Sequence, residues 1–348
     1  MGETYRETAD RVLAMLKRAD GNDPSRGHLT MNNWEWPTGV ALYGIYKTYQ
    51  QSGDRSILEY LVSWYDDMLS RAEKPHRNVN TVAPMLALTC VYAETRDERY
   101  LPFIESWLDW VMNDMPRTEF GGLQHCTAWN KHYQQLWCDT LFMTCLFLAK
   151  AGVVLGRPAL IEEAEYQFLI HIRYLQDKIT GLFYHGWTFD RRHNFAGAFW
   201  ARGNAWFTAA AVELQMITGR DDAAMRMIRS AWLDQVNALW KLQRVNGLFT
   251  TLLDVEETYC ETSATAAIAY GVLVGVRIGW LPAEKYRDMG MLSANAVLDQ
   301  IDETGAVQGV SGGTGMGHNL QHYKDIIVTP TAYGQGLTFL MLTELMRD

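Results

Sequence analysis

The sequence has no apolar stretch both long enough and free enough of polar residues to span a bilayer. It has no Lys/Arg-rich run, and its formal charge is −9, so nucleic acid and anionic membranes are poor partners. An anionic ligand would have to be caught by local positive groups against that field. Cysteine is sparse and unpatterned: Cys90, Cys126, Cys138, Cys145 and Cys260 make an odd set of five with no CxxC. Free thiols in a reducing compartment fit that usage. The stretch HCTAWNKHYQQLWC contains His125, Cys126, His132 and Cys138, but their spacing matches no standard zinc site, so neither metal nor cofactor is expected. The start, MGETYRETADRVLAMLKRAD, is an amphipathic helix pattern without the basic and apolar regions of a secretory signal. The reading is a cytoplasmic protein.

What is present is apolar and helical. The chain has 348 residues, 48% apolar and 20% charged, enough for a large core. Strand-like alternation is confined to short pieces such as GLFYHGW and GLFTTLL. Six segments rich in small and apolar residues begin near Trp34, Asn80, Gln135, Arg202, Glu261 and Pro330. They are apolar on nearly all faces and should be buried. The first five each run into a short turn (QQSGDR, ETRDER, LGRPA, TGRDDA, IGWLPAEK) whose Gly, Asp and Pro suit C-cap, N-cap and first-turn positions. A more amphipathic helix follows each turn, and another precedes Trp34. Six buried and six amphipathic helices predict an all-α fold, an (α/α)6 barrel with inner and outer layers, as one domain over residues 1–348. An open solenoid is the alternative, but it would need polar capping repeats that the sequence does not show.

In such a barrel all inner helices run the same way, so their N-termini converge at the end with the long connections. Free N–H groups there favour an anion. The sequences at that end, among them NNWEWPTG, HRNVNTVAP, GLFYHGWTFDRRHNFAGAFWARGNAW and MGHNLQHYKDIIVTPTAYGQG, hold most of the histidines and many of the thirteen tryptophans. Aromatic and polar residues gathered at one end of an apolar barrel suggest a cleft for a small molecule with flat faces, as sugar rings have. Asp139 opens the apolar run DTLFMTCLFLAK; it is either an ordinary helix N-cap or a group kept for chemistry.

The stretches QLWCDTLFMTCLFLAK, GLFYHGW, FWARGNAW and PTAYGQG resemble the motifs of glycoside hydrolase family 105, the unsaturated rhamnogalacturonyl and related uronyl hydrolases. The resemblance runs from about Trp34 to the C-terminus. It implies an (α/α)6 barrel, agreeing with the helix count. It places the catalytic acid at Asp139 and substrate contacts at His185, Trp200 and Arg202. Trp137 and Trp206 match aromatic positions, His125 the histidine before the acid, and Tyr333 the tyrosine of the last inner helix. Trp36 and Thr38 fall where members line the sugar subsite. Where some relatives carry a second Asp, this chain has Asn80, which cannot act as a base. The implied substrate is an oligosaccharide ending in a 4,5-unsaturated uronic acid, made by a polysaccharide lyase. In the implied reaction one acid protonates C4 of the C4=C5 bond and then takes a proton from water that adds at C5. That role asks for a raised acidity constant at Asp139; desolvation favours it and a helix N-terminus opposes it. Two rival readings are a sugar 2-epimerase, with His125, His132, His185, His193, His318 and His322 as candidate acid/base groups, and a non-catalytic oligosaccharide-binding protein in which Asp139 only caps.

Overall fold

Small residues and capped turns decide how the helices are laid out. In the computed structural model, which describes residues 4–19, 29–72 and 74–347, an amphipathic helix α1 (Tyr5–Lys17) comes first. Helices then follow in pairs: α2 (Trp36–Ser52) and α3 (Arg55–Ser70), α4 (Val79–Thr95) and α5 (Leu101–Asp109), α6 (Leu146–Val154) and α7 (Pro158–Leu175). Next come α8 (Ala201–Thr218) and α9 (Ala223–Leu242), then α10 (Thr262–Arg277) and α11 (Ala283–Leu298). A short α12 (Leu320–Lys324) precedes the last helix, α13 (Ala332–Leu345). Gly53 and Gly219 end α2 and α8 in the left-handed region, at φ 69° and 62°, where a side chain would be strained. Asp54 and Asp222 then cap α3 and α9, so each reversal takes few residues.

Helices α2, α4, α6, α8, α10 and α13 are buried on nearly every face. Each packs on the next, and α13 packs on α2, so the ring is closed. This is an (α/α)6 barrel; closure removes the exposed ends that an open solenoid must cap. The outer layer is α3, α5, α7, α9, α11 and α1, with α1 against α13. At the seam between α2 and α13, Gly44 and Gly336 face each other, and a Cβ on Gly44 would collide with the Gly336 carbonyl oxygen. A fully buried side chain such as Leu146, Phe147 or Leu148 on α6 contributes about 1.5–3 kcal/mol, so the ring holds itself together by burial. One charged strut crosses it. Glu213 on α8 lies 3.2 Å from Lys47 Nζ on α2, and accepts hydrogen bonds from Tyr43 (2.6 Å) and Tyr270.

Five of the six expected inner-helix starts fall within two residues of the observed ones. The third does not. Gln135–Trp137 is a strand, β1, paired antiparallel with β2 (Gly186–Thr188), in the register Gln135 with Thr188 and Trp137 with Gly186. The chain turns helical only at Asp139, passes through a π-helical turn at Leu141–Cys145, and continues as α6. GLFTTLL forms isolated bridges only, Thr250 with Cys260 and Leu252 with Trp200. Among the described residues no helix is long and apolar enough to cross a membrane.

Candidate active site

The inner-helix N-termini surround a cavity of about 240 Å³. It is lined by Trp36, Asn80, His125, Thr127, Trp129, His132, Trp137, Asp139, Met143, Trp200, Arg202 and residues 313–315. That volume suits one ring better than an extended chain, being below the usual range of about 300–1,000 Å³ for drug-sized ligands. Cavities larger than this, about 340–380 Å³, lie elsewhere on the surface, and the two around α9 in the outer layer have no comparable group of aromatic and titratable residues.

Seven of the eleven residues expected from the sequence line this cavity: Trp36, Asn80, His125, Trp137, Asp139, Trp200 and Arg202. The other four stand behind it. The Thr38 hydroxyl is engaged with Thr30 O and Asn33 Oδ1 (3.2 and 2.8 Å), so it shapes the chain before α2 instead of meeting a sugar. Trp206 is fully buried between Trp36 and Phe142. Tyr333 is covered by Trp36, with ring centroids 4.4 Å apart, and its hydroxyl donates to Ser311 O. His185 is buried and reaches Asp139, not the open cavity.

The position of Asp139 follows from strand pairing. Trp137 pairs with Gly186, and the next link, Cys138 N–H to His185 O at 3.0 Å, sets Asp139 beside His185. Asp139 Oδ2 and His185 Nε2 are 3.4 Å apart, too poorly aligned for a hydrogen bond, and neither atom has another partner. The Asp139 side chain accepts no capping hydrogen bond from the helix it opens, and the adjoining π-helical turn has no side-chain cap. The capping reading therefore fails on geometry. Burial pushes the carboxyl up, but His185, the more distant His125 and its own backbone N–H together hold it below the usual carboxylate range. The balance that the sequence left open therefore falls on the low side: the imidazoles and the backbone N–H together outweigh desolvation.

His125 stacks flat on Trp137, centroids 4.1 Å apart and planes 6° from parallel, and its Nδ1 is 3.0 Å from Thr140 Oγ1. Burial pushes its imidazole down to about 3, so it is neutral and a weak base. Asn80 sits in the first turn of α4; its backbone N–H is capped by Asn78 Oδ1 (2.9 Å), while its side chain has no partner among the described residues. Asp139 is the one carboxylate among the described residues lining the cavity.

Arg202 is fully buried between the Trp200 and Tyr333 rings, at 4.6 and 4.9 Å. Its two terminal nitrogens bind Ser311, the Gly312 carbonyl (2.8 Å) and Thr314 Oγ1 (2.8 Å), and Glu261 lies 3.6 Å away. It is thus an anchor for the 311–315 wall and a buried positive charge in the cavity lining. Arg202 Nε and Trp200 Nε1 remain donors without a partner. The stretch SGGTGMGHNLQHY, residues 311–323, stood out in the sequence as a loop that could shape substrate preference, and residues 313–315 of it line the cavity; sequence reading missed Trp129, which stands 96% exposed at the mouth, and the contact of Tyr323, whose hydroxyl is 2.8 Å from His185 Nδ1. Trp129 had a signal, an aromatic in a polar loop; Tyr323 had none, because its contact spans 138 positions.

A family model described as Glycosyl Hydrolase Family 88 matches residues 11–348. The unsaturated rhamnogalacturonyl hydrolase YesR of Bacillus subtilis (strain 168) is 30% identical over 317 residues, 90% of each chain. Two crystal structures titled as possible members of glycoside hydrolase family 105 are 39% and 38% identical: one from Salmonella enterica subsp. enterica serovar Paratyphi A, one from Klebsiella pneumoniae subsp. pneumoniae. Each superposes with a TM-score of 0.93 over 100% of this chain and 95% of its own. The chain belongs to Glycosyl Hydrolase Family 88, on the side of it that includes glycoside hydrolase family 105.

Proposed function

We propose that this enzyme releases 4,5-unsaturated uronic acid from the non-reducing end of lyase-generated rhamnogalacturonan oligosaccharides, with Asp139 as general acid and then general base. The observation that carries the reading is that Asp139 is the single carboxylate among the described residues lining the cavity. Ordinary glycoside cleavage uses two carboxyl groups, roughly 5–9.5 Å apart across the bond. Hydration of a vinyl ether needs one. The Asp139 O–H bond breaks as a C4–H bond forms, and the positive charge is shared by C5 and the ring oxygen. Water adds at C5 and returns a proton to Asp139. The hemiketal opens, and rearrangement frees the neighbouring sugar.

The rest of the site supports this assignment. Trp36, Trp137 and Trp200 offer faces to one ring, and Asn80 offers an amide to its hydroxyls. Arg202, buried in the cavity wall with Nε unpartnered, gives the uronate a positive neighbour despite the acidic chain. Trp129 at the mouth is placed to meet the second sugar, for which the name of the Bacillus relative suggests rhamnose. The 2-epimerase reading loses ground: His125 is a weak base, and His193, His318 and His322 do not line the cavity. The five cysteines are all free, which supports a reducing compartment such as the cytoplasm.

The test is the ultraviolet absorbance of the conjugated enoate in a panel of lyase-generated disaccharides. It should fall with this enzyme, and fastest when the linked sugar is rhamnose; an epimerase or a binding protein leaves it unchanged. Asp139→Asn should lower kcat by about 10²–10⁴-fold while binding stays within a few-fold. A nearly active Asp139→Asn enzyme would sink the assignment.

A further inference from the structure

The acid's partner is itself held from an unexpected place. Between α11 and α13 the chain makes an excursion that contributes the 313–315 cavity wall and then, through α12, Tyr323. Tyr323 is 1% exposed. Its hydroxyl oxygen lies 2.8 Å from His185 Nδ1 and accepts the Gly317 backbone N–H at 3.2 Å. The other His185 nitrogen, Nε2, is 3.4 Å from Asp139 Oδ2 and has no hydrogen-bond partner. Asp139 Oδ2 is sealed against that ring, while the Asp139 side chain as a whole keeps 16% of its surface, so the oxygen open to the cavity is Oδ1.

We propose that Tyr323 is a positioning residue for the acid: with its oxygen fixed by the Gly317 N–H, its O–H donates to His185 Nδ1 and thereby sets the ring proton on Nε2, facing Asp139. This rests on the function proposed above. The consequence is chemical. An Nε2–H beside Oδ2 keeps that oxygen an acceptor, so when Asp139 takes a proton it carries it on Oδ1, the atom facing the substrate. The reverse tautomer would turn an Nε2 lone pair toward Oδ2, draw the carboxyl proton to the ring side, and leave Oδ1 without the proton that C4 must receive. The other titratable groups near His185 and Asp139 are His125, His132 and Cys138, with His171 farther out and Arg202 behind Trp200. Burial holds His125, His132 and His171 down and Cys138 up, so all four are neutral near pH 7. No charged group among them competes with Tyr323 for the ring.

The deciding measurement is the ¹⁵N spectrum of histidine-labelled, substrate-free enzyme, with the His185 signals identified by their loss in His185→Gln. A protonated Nε2 and an unprotonated Nδ1 near neutral pH are expected; the opposite pattern overturns the proposal whatever any variant does. In Tyr323→Phe, kcat should fall about tenfold with KM within about twofold. The basic limb of kcat/KM should move to higher pH, because the Nε2–H that favours the Asp139 carboxylate is no longer held in place. A Tyr323→Phe enzyme whose pH profile superimposes on the parent's overturns the proposal, even if kcat is lower, since a purely structural loss would do that. A parent enzyme inert toward every unsaturated uronide would instead sink the proposed function and leave the tautomer result standing.

Discussion

At Asp139 two demands collide. Donation to C4 needs the protonated acid, yet in the empty cavity burial is outweighed and the carboxyl sits below its usual range. The substrate resolves the conflict, because its own carboxylate brings a negative charge within a few ångströms and favours the neutral acid. The sign can be worked through in kinetics. The pH dependence of kcat/KM reports the free enzyme, and that of kcat the complex. Both should fall as pH rises and Asp139 loses its proton. The basic limb of kcat should lie at higher pH than that of kcat/KM, with the optimum below neutrality. Initial rates of enoate loss from about pH 3 to 8 measure both limbs; coincident limbs would mean the substrate charge does not reach the acid. Asp139 was legible as a candidate because an acid heading an apolar run is conspicuous. Its environment was not, since His185 arrives through strand pairing and Tyr323 through a connection at the far end of the chain.

Among the elements, the inner helices were legible because apolar residues on every face leave burial as the one solution. Strand β1 was not. Three residues cannot display a period, and Leu136 and Trp137 are both buried, so QLW reads as the first turn of the helix it precedes. The N-terminal ends of α8 and α10 are joined by a second element invisible in sequence. Glu261 caps α10 by accepting the Ala264 N–H (2.6 Å), accepts the Ser311 N–H (2.9 Å), and lies 3.6 Å from Arg202 at the start of α8. Arg202 in turn holds residues 311–314. Glu261→Gln keeps the shape but leaves the buried guanidinium without its counter-charge. Removing one partner of a buried pair costs about 3–5 kcal/mol, which urea unfolding should show. Because Glu261 also accepts the Ser311 N–H of the cavity wall, a disturbed Glu261–Arg202 pair should also raise KM more than it lowers kcat. Unchanged stability would mean that Arg202 finds its compensation elsewhere.

For the molecule as a whole, the conditions that favour catalysis oppose folding. His125 and His171 are both buried, one at the cavity and one on α7. Burial pushes them down to about 3 and about 4, from 6.5 in an exposed chain. A lowered folded value means that the unfolded chain binds protons the folded one refuses. The stability due to their neutrality is therefore complete above pH 6.5 and is lost progressively as pH falls toward 4 and then 3. Each fully linked proton changes stability by about 1.4 kcal/mol per pH unit, so the two together set a limiting slope of about 2.7. Between about pH 6 and 5 few carboxylates titrate, so the histidines dominate the slope there. Urea midpoints across that window should decline on acidification, and His171→Gln, away from the cavity, should roughly halve the slope while leaving kcat near the parent value. A slope unchanged in that variant would show that His171 already carries a proton in the fold. The enzyme is then expected to turn over faster on mild acidification, until falling stability cuts off the gain.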